Sequence, residues 1–256
     1  METTTDVDAA LERFAALDEK AVAQPWRFRD KPVEVRYALY RTIEDAQEML
    51  VAAMAQPHPE SRRILALAQR AFGDLRGLLI GLPSDLLDRA PRDGEWSVRE
   101  ILRHVIVIEG RYAVQTRYAV DRADADPMRV TDDKMPTPAQ IDVSGTATQI
   151  LARLSEMRAA TDRRLGDLPA AAMTRPTQWV HYDVDVRFRL HRFAAHLVEH
   201  TVQCEKTLVT LGWRATEGRR IVRRLTALLG EVHGLGGATR EIEKSLVERS
   251  ASTAGT

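Results

Sequence analysis

The chain has 256 residues, of which 44% are hydrophobic and 29% charged, and its 37 Lys and Arg residues balance its 37 Asp and Glu residues. This composition is typical of a globular domain that buries a substantial core. The zero net charge argues against a nucleic-acid-binding protein, which carries a basic surface, and the single cysteine excludes an intramolecular disulfide framework.

The N-terminus and the lengths of the apolar runs indicate where such a protein is found. Residues 1–10 are polar and acidic and lack the basic start and apolar core of a signal peptide. No run approaches the roughly 18 apolar residues that a membrane-spanning helix needs. Together with a lone cysteine, which suits a reducing compartment, these features predict a cytoplasmic protein that binds neither membranes nor nucleic acids.

Helical periodicity starts in the N-terminal third of the chain. A short helix is predicted over residues 6–22, and an irregular stretch containing Pro25, Trp26 and Pro32 follows it. Apolar residues at three- and four-residue steps then predict one helix over residues 33–55 and another over about 60–81. The intervening sequence QPHP separates these two helices, because a proline disfavours helical backbone in the residue before it.

The central part of the chain contains a helix with a recognisable start. Ser97 followed by Glu100 forms a capping-box pattern, and the apolar stripe that follows extends the helix to about Val120. Residues 122–142 are rich in Asp, Pro and Thr and carry no stripe, which predicts a long surface crossover. Ser144 is predicted to cap the next helix.

The C-terminal part is also predicted to be helical. A helix is expected from about Asp185 to Leu211, followed by two more over about 215–229 and 236–248 and a disordered tail from Ser250 to Thr256. No segment alternates as a strand does, so the chain is predicted to be all-α, a four-helix bundle with additional helices at both ends. The predicted domains are an N-terminal helical extension (1–57), the bundle (58–212), and a C-terminal helical extension with the tail (213–256).

Three histidines form the candidate functional cluster. His196 and His200 lie four residues apart in the predicted 185–211 helix, a spacing that places both imidazoles on one face, one turn apart. His104, which flanks the apolar stripe of the 97–120 helix, is the candidate third ligand. Three neutral imidazoles with open positions suit a divalent transition metal. The spacing alone leaves open that the pair is simply two histidines on the flank of an amphipathic helix.

Two stretches carry a resemblance to a known family. The runs WSVREILRHV and LHRFAAHLVEHTVQ resemble the two signature helices of the DinB/YfiT-like superfamily of metal-binding four-helix bundles, in which one helix starts with Trp-Ser and carries a histidine, and the last bundle helix carries HxxxH, often followed by Gln. The resemblance covers about residues 60–212. It implies that His104, His196 and His200 bind a metal, usually zinc or nickel.

The same resemblance implies an activity. The best-understood branch of that family consists of thiol-dependent S-transferases and isomerases, in which the metal acts as a Lewis acid on the sulfur of mycothiol or bacillithiol. The Ala-, Arg- and Leu-rich composition, typical of a GC-rich genome, favours mycothiol. The expected function is therefore a metal-dependent transferase that joins such a thiol, or water, to a small electrophilic substrate.

Two alternatives remain open at the level of the sequence. One is metal-dependent hydrolysis at the same site. The other is a non-catalytic helical stress-response or interaction protein whose metal is structural or absent, with the terminal helices covering a pocket or forming a homodimer interface. The motifs of a zincin peptidase (HExxH) and of a di-iron bundle (paired ExxH) are missing, which argues against those two classes of enzyme.

Three further residues lie near the predicted cluster. Arg189 lies along the histidine flank and is a candidate anchor for a carboxylate of the thiol or substrate. An arginine at such a position more often covers the helix flank or pairs with an acid. Gln203 is a candidate to orient His200, or a surface residue. Cys204 is one turn beyond His200, where a free cysteine is more often a small buried apolar group than a metal ligand.

Overall fold

The computed structural model describes residues 4–253 of the chain. These residues form eleven α-helices and two short β-hairpins, joined by connecting segments. The helices are α1 (Thr4–Ala16), α2 (Glu19–Val22), α3 (Arg36–Met54), α4 (Glu60–Leu79), α5 (Ser84–Asp88), α6 (Val98–Asp121), α7 (Ala147–Leu165), α8 (Ala170–Met173), α9 (Val186–Thr210), α10 (Glu217–Gly234) and α11 (Arg240–Thr253). The strands are β1 (Pro25–Phe28), β2 (Lys31–Glu34), β3 (Pro176–Trp179) and β4 (Tyr182–Asp185).

A four-helix bundle of α4, α6, α7 and α9 forms the centre of the molecule. Both α4 and α6 pack against α7 and α9, so the four helices enclose one core. Each contributes side chains that are almost completely buried there, including Leu75, Leu102, Leu154 and Phe193. The prediction of an all-α fold built on a four-helix bundle is confirmed.

The helices predicted as separate extensions at the two ends of the chain pack together. α10 lies along α4 and also contacts α1 and α3, while α11 packs against α1 and α3. These elements bury a second cluster of apolar side chains that includes Leu11, Phe14, Leu39, Leu225 and Leu246. We call α1, α3, α10 and α11 the terminal layer.

The end of α11 corrects the predicted disordered tail. Ser250 is buried and accepts a hydrogen bond of 2.9 Å from Nε of Arg13, and Ser252 accepts one of 3.1 Å from the indole of Trp26. Residues 250–253 are therefore helical, because packing on the N-terminal elements compensates for their weak apolar pattern. Residues 254–256 of the predicted tail lie outside the described residues.

The stretch that was predicted to be irregular around Pro25 and Pro32, and the connection that precedes α9, form β-hairpins. β1 pairs with β2 through the two-residue turn Arg29-Asp30, in which both residues have positive φ as in a type I′ turn. β3 pairs with β4 through Val180-His181, and Val180 has φ of 56°. Four-residue strands are too short to show alternation, and neither turn carries the Asn-Gly signature that predicts a hairpin.

Helix α7 begins two residues later than predicted. Thr146, rather than Ser144, is its N-cap, since the hydroxyl of Thr146 accepts a hydrogen bond from the backbone N–H of Gln149, and the Gln149 side chain accepts one from the backbone N–H of Thr146. Across the described residues, no helix combines the length and the apolar character that crossing a membrane requires.

Candidate metal centre

Helices α6 and α9 place the three predicted histidines together. α6 starts as predicted, because Ser97 and Glu100 form a capping box in which the Glu100 carboxylate accepts a hydrogen bond of 2.8 Å from the backbone N–H of Ser97. His104 therefore lies in the second turn of α6. α9 starts at the N-cap Asp185 and carries its HxxxH pair in the third and fourth turns, where α9 packs against α6.

One potential ligand nitrogen from each of His104, His196 and His200 lies within 4.8 Å of the other two. The Nε2 atoms of His104 and His196 are 3.2 Å apart. Two imidazole nitrogens that bind one tetrahedral zinc ion at about 2.0–2.1 Å are separated by about 3.3 Å. The spacing and the all-imidazole donor set therefore fit a small divalent transition metal.

Burial favours the neutral form of His104 and His196. Desolvation, with smaller contributions from the neighbouring His200 and His104, lowers the pKa of His196 from 6.5 to about 3. The pKa of His104 is lowered as well, mainly by burial and then by His200. Neutral imidazoles have a free lone pair, which is the form that binds a metal.

Gln203 fixes the tautomer of His200. The Nδ1 atom of His200 lies 2.7 Å from Oε1 of Gln203. Because an amide oxygen only accepts hydrogen bonds, Nδ1 is the donor in this contact, which leaves Nε2 as the nitrogen that is available to a metal. A partner of this kind orients a ligating imidazole and raises its basicity. The structure thus brings Gln203 into contact with one of the three histidines.

The histidines form part of the wall of a pocket of about 610 Å³. Its lining comes from α6, the crossover, the β3–β4 hairpin and α9, and none of the described residues of the terminal layer contributes to it. Three aromatic residues, Trp96, Tyr112 and Trp179, form much of its apolar surface. Trp96 is 44% exposed, and its ring centroid is 5.2 Å from that of His104.

Sequence reasoning did not place Tyr112 or Trp179 in the site. Tyr112 belongs to the apolar stripe of α6, and Trp179 lies in a connection that had no predicted structure. In the structure, the ring of Tyr112 packs edge-on against His196 at a centroid distance of 5.6 Å. The β3–β4 hairpin places Trp179 in the wall of the pocket. The sequence would have indicated this position only if residues 176–185 had carried a turn motif that predicts a hairpin.

The remaining candidates lie at different distances from the cluster. Arg189 lines the same pocket, two turns before His196, and is buried. Cys204 is fully buried in the bundle core and is not part of the histidine cluster, and burial raises the pKa of its thiol from 9.0 to about 12. His191 is exposed on α9 and lies outside the cluster.

Comparison with known proteins identifies the family. The family model of the DinB superfamily matches residues 67–204, more than half of the chain. The chain belongs to the DinB superfamily. The matched segment of this DinB protein contains all three clustered histidines, Gln203 and most of the bundle, whereas all four helices of the terminal layer lie outside it.

A solved structure supports the fold of this DinB protein. It resembles YfiT from Bacillus subtilis with a TM-score of 0.50 and 15% sequence identity, over 62% of this chain and 94% of YfiT. YfiT is described as a probable metal-dependent hydrolase with an unusual four-helix bundle topology. At this identity the likeness concerns the fold alone. The search of curated proteins found no match.

Proposed function

We propose that this DinB protein is a metal-dependent enzyme in which His104, His196 and His200 hold a divalent transition metal, zinc or nickel. The observation that carries the proposal is the convergence of three imidazoles beside a pocket large enough for a substrate. When bound, such a metal supplies Lewis-acid activation of a small nucleophile at neutral pH.

The residues of the chain prepare the site for this chemistry. His104, His196 and His200 present lone pairs, and Gln203 holds the ring of His200 in the ligating tautomer. The ring of Trp96 packs against His104 and the ring of Tyr112 packs against His196, so apolar surface borders the imidazoles. Low local polarity strengthens the electrostatic interactions of whatever binds there.

The first proposed reaction is transfer to a low-molecular-weight thiol of the mycothiol type. The thiol loses its proton to solvent, its sulfur forms a bond to an electrophilic carbon of the second substrate, and the leaving group departs with the electron pair of the broken bond. The pocket volume of about 610 Å³ supports this reaction, because a thiol cosubstrate and an electrophile must occupy it together.

Hydrolysis at the same residues is the second candidate. Water would take the place of the thiol, and the ester or amide bond of the substrate would be cleaved. The specific support is the description of the similarly folded YfiT as a probable metal-dependent hydrolase.

Two assays separate these reactions. Protein loaded with zinc or nickel is incubated with an aryl halide and mycothiol, bacillithiol or glutathione, and separately with 4-nitrophenyl acetate without any thiol. Thiol-dependent product that disappears in His196→Ala and persists in the exposed control His191→Ala supports transfer. Ester turnover without thiol, with the same dependence on His196, supports hydrolysis instead.

Two other outcomes contradict the catalytic proposal. Equal activity of the metal-free and metal-loaded proteins would rule out a metal-dependent reaction at these histidines. Absence of turnover in both assays, with the metal bound, would favour the non-catalytic alternative, in which the metal has a structural role in an interaction protein.

A further inference from the structure

Four arginines are buried among the described residues, and three of them donate to two or more acceptors. Arg158 donates to two carboxylates at 2.7 and 2.9 Å. Arg219 donates to two carbonyl oxygens at the end of α4, and Arg122 donates to four backbone carbonyl oxygens. Such partners compensate for the cost of removing a guanidinium from water.

Arg189 is the exception. It is only 5% exposed, yet among the described residues it donates one hydrogen bond, of 2.8 Å, to the carbonyl oxygen of Gln178. Its buried Nε has no partner, as in Arg122 and Arg158, but those two arginines donate several hydrogen bonds through their other nitrogens and Arg189 does not. Among the described residues, the groups whose charge acts on Arg189 are Tyr112 and Arg129, and neither is a carboxylate. The guanidinium lies over the ring of Tyr112 at 5.6 Å and borders the pocket. A buried charge with so few partners indicates a missing anion.

The charges around the pocket agree with this reading. Three more arginines line it, namely Arg111, Arg129 and Arg192. The two acids of the lining, Asp132 and Glu199, have side chains that are 82% and 65% exposed, and they lie near Arg129 at 3.0 Å and near Arg192 at 3.9 Å. Negative charge is therefore confined to the mouth, and the buried part next to Arg189 is positive.

The position of Arg189 relative to the histidines sets the shape of the ligand. Arg189 and His196 are seven residues apart on α9, which places them on one face with a rise of roughly 10 Å between them. Tyr112 contacts both residues, with its ring centroid 5.6 Å from the guanidinium carbon of Arg189 and from the ring centroid of His196. Apolar surface thus connects the charged end of the pocket to the metal centre.

We propose that Arg189 binds a carboxylate group of the ligand that occupies this pocket, with an apolar segment of the ligand lying over Tyr112 towards the three histidines. A guanidinium presents paired N–H donors that match the two oxygens of a carboxylate. The substrate or the cosubstrate of the proposed function, on which this inference rests, is accordingly a carboxylic acid.

A binding experiment with simple probes tests the assignment. 4-Phenylbutyrate and its uncharged amide are titrated into zinc-loaded and metal-free protein, and binding is followed by calorimetry and by the fluorescence of Trp96 and Trp179. The acid is expected to bind at least about tenfold more tightly than the amide, since hydrogen bonds to a charged partner carry most of the difference. The preference is expected in both forms of the protein.

Variants of two neighbouring arginines localise the effect. Arg189→Gln is expected to weaken binding of the acid about tenfold and leave the amide unchanged, whereas Arg189→Lys keeps the charge and retains part of the preference. Arg187→Gln is the matched control, because Arg187 lies on the same helix but pairs with Glu60 outside the pocket. Retained preference in Arg187→Gln supports the assignment to Arg189.

Three results would overturn the inference: equal affinity for acid and amide, unchanged affinity of Arg189→Gln for the acid, or no saturable binding of the acid. The metal-free arm separates this inference from the proposed function. Arg189-dependent binding in a protein that takes up no metal refutes the metal proposal alone. Metal uptake with no effect of Arg189→Gln refutes the carboxylate subsite alone.

Discussion

One hydrogen bond at His200 determines how the histidine cluster presents its lone pairs. Without the Gln203 acceptor, Nδ1 and Nε2 of His200 would exchange the proton freely, and a fraction of the molecules would face the neighbouring imidazoles with an N–H. Burial lowers the pKa of His104 and of His196, which favours their neutral forms. For His200, the chain instead controls the position of the ring proton through a specific hydrogen-bond partner, Gln203.

Gln203→Ala is therefore expected to lower metal affinity about 10- to 100-fold, the usual effect of losing a residue that orients a ligating histidine. Titration against a competing chelator measures it. Val202→Ala, at an exposed neighbouring position of α9, is the control and is expected to keep the parent affinity. Equal affinities of the two variants would mean that Gln203 does not orient His200.

Cys204 is predicted to be chemically inert in the folded protein. Burial raises the pKa of its thiol to about 12, so at about pH 8 it is almost entirely the unreactive thiol rather than the thiolate. An aromatic disulfide reagent is expected to modify it only after unfolding in denaturant. Modification of the folded protein at the rate of an unfolded control would show that the thiol is accessible and ionised.

At the level of single elements, hydrophobic periodicity predicted the helices but missed the hairpins and the course of the crossover. The capping pair Ser97 and Glu100 and the HxxxH spacing lie within one helix each, so short-range patterns were sufficient to place them. The β3–β4 hairpin and the fold of residues 122–142 depend on contacts distant in sequence. As a result, the sequence indicated the histidines but not the pocket wall that Trp179 and the crossover build.

The pairing of α6 with α7 includes a buried ion pair that no sequence pattern revealed. Arg158 is fully buried and donates to the carboxylate of Glu109 at 2.7 Å, and the hydroxyl of Thr161 donates to the same carboxylate at 2.8 Å. Glu109 on α6, and Arg158 and Thr161 on α7, lie on the helix faces that the apolar pattern predicts to be buried. Specific partners across the interface, rather than amphipathicity, make their burial possible.

Glu109→Leu is expected to lower the free energy of unfolding by about 3–5 kcal/mol, because it removes the fully buried one of the two carboxylates that Arg158 pairs with and leaves only the partly exposed Asp162. The double variant Glu109→Leu, Arg158→Met is expected to recover most of that loss. Asp121→Asn, in an exposed pair with Arg117, is the control and should cost less than about 1 kcal/mol. Denaturant unfolding measures all three, and a stable Glu109→Leu variant would contradict the account.

At the scale of the whole molecule, the terminal layer is attached to the bundle through close contact of α4 with α10. A Cβ atom at Gly73 would lie 2.1 Å from the carbonyl oxygen of Thr226, and one at Gly230 would lie 2.3 Å from that of Gln69. Neither glycine has a positive φ, so each is needed for its small size. The sequence showed these glycines but not which helix approaches them.

Gly73→Ala is accordingly expected to destabilise the protein by about 1–3 kcal/mol, since α4 and α10 must move apart to accept one methyl group. Gly110→Ala is the matched control, because its added Cβ meets only the side chains of Pro136 and Met157. Thermal unfolding of both variants makes the comparison. Equal or higher stability of Gly73→Ala would show that the two layers are not held this closely.

The position of the pocket assigns different roles to the two layers. Every described residue that lines it belongs to the bundle side of the molecule, so the terminal layer leaves the site open and contributes by stabilising the outer face of α4. A homodimer interface on the terminal layer stays a prediction. Removing residues 1–57 is not a clean test of it, because the deletion would also expose the buried face of α10.

Metal content tests the central claim most directly. Protein purified without an affinity tag and reconstituted with zinc or nickel is analysed for metal per chain, together with His104→Ala, His196→Ala and His191→Ala. We expect about one metal ion per chain in the parent and in His191→Ala, and a loss in the other two variants. Failure of the parent to take up metal, or undiminished binding in His104→Ala and His196→Ala, would contradict a three-histidine metal centre.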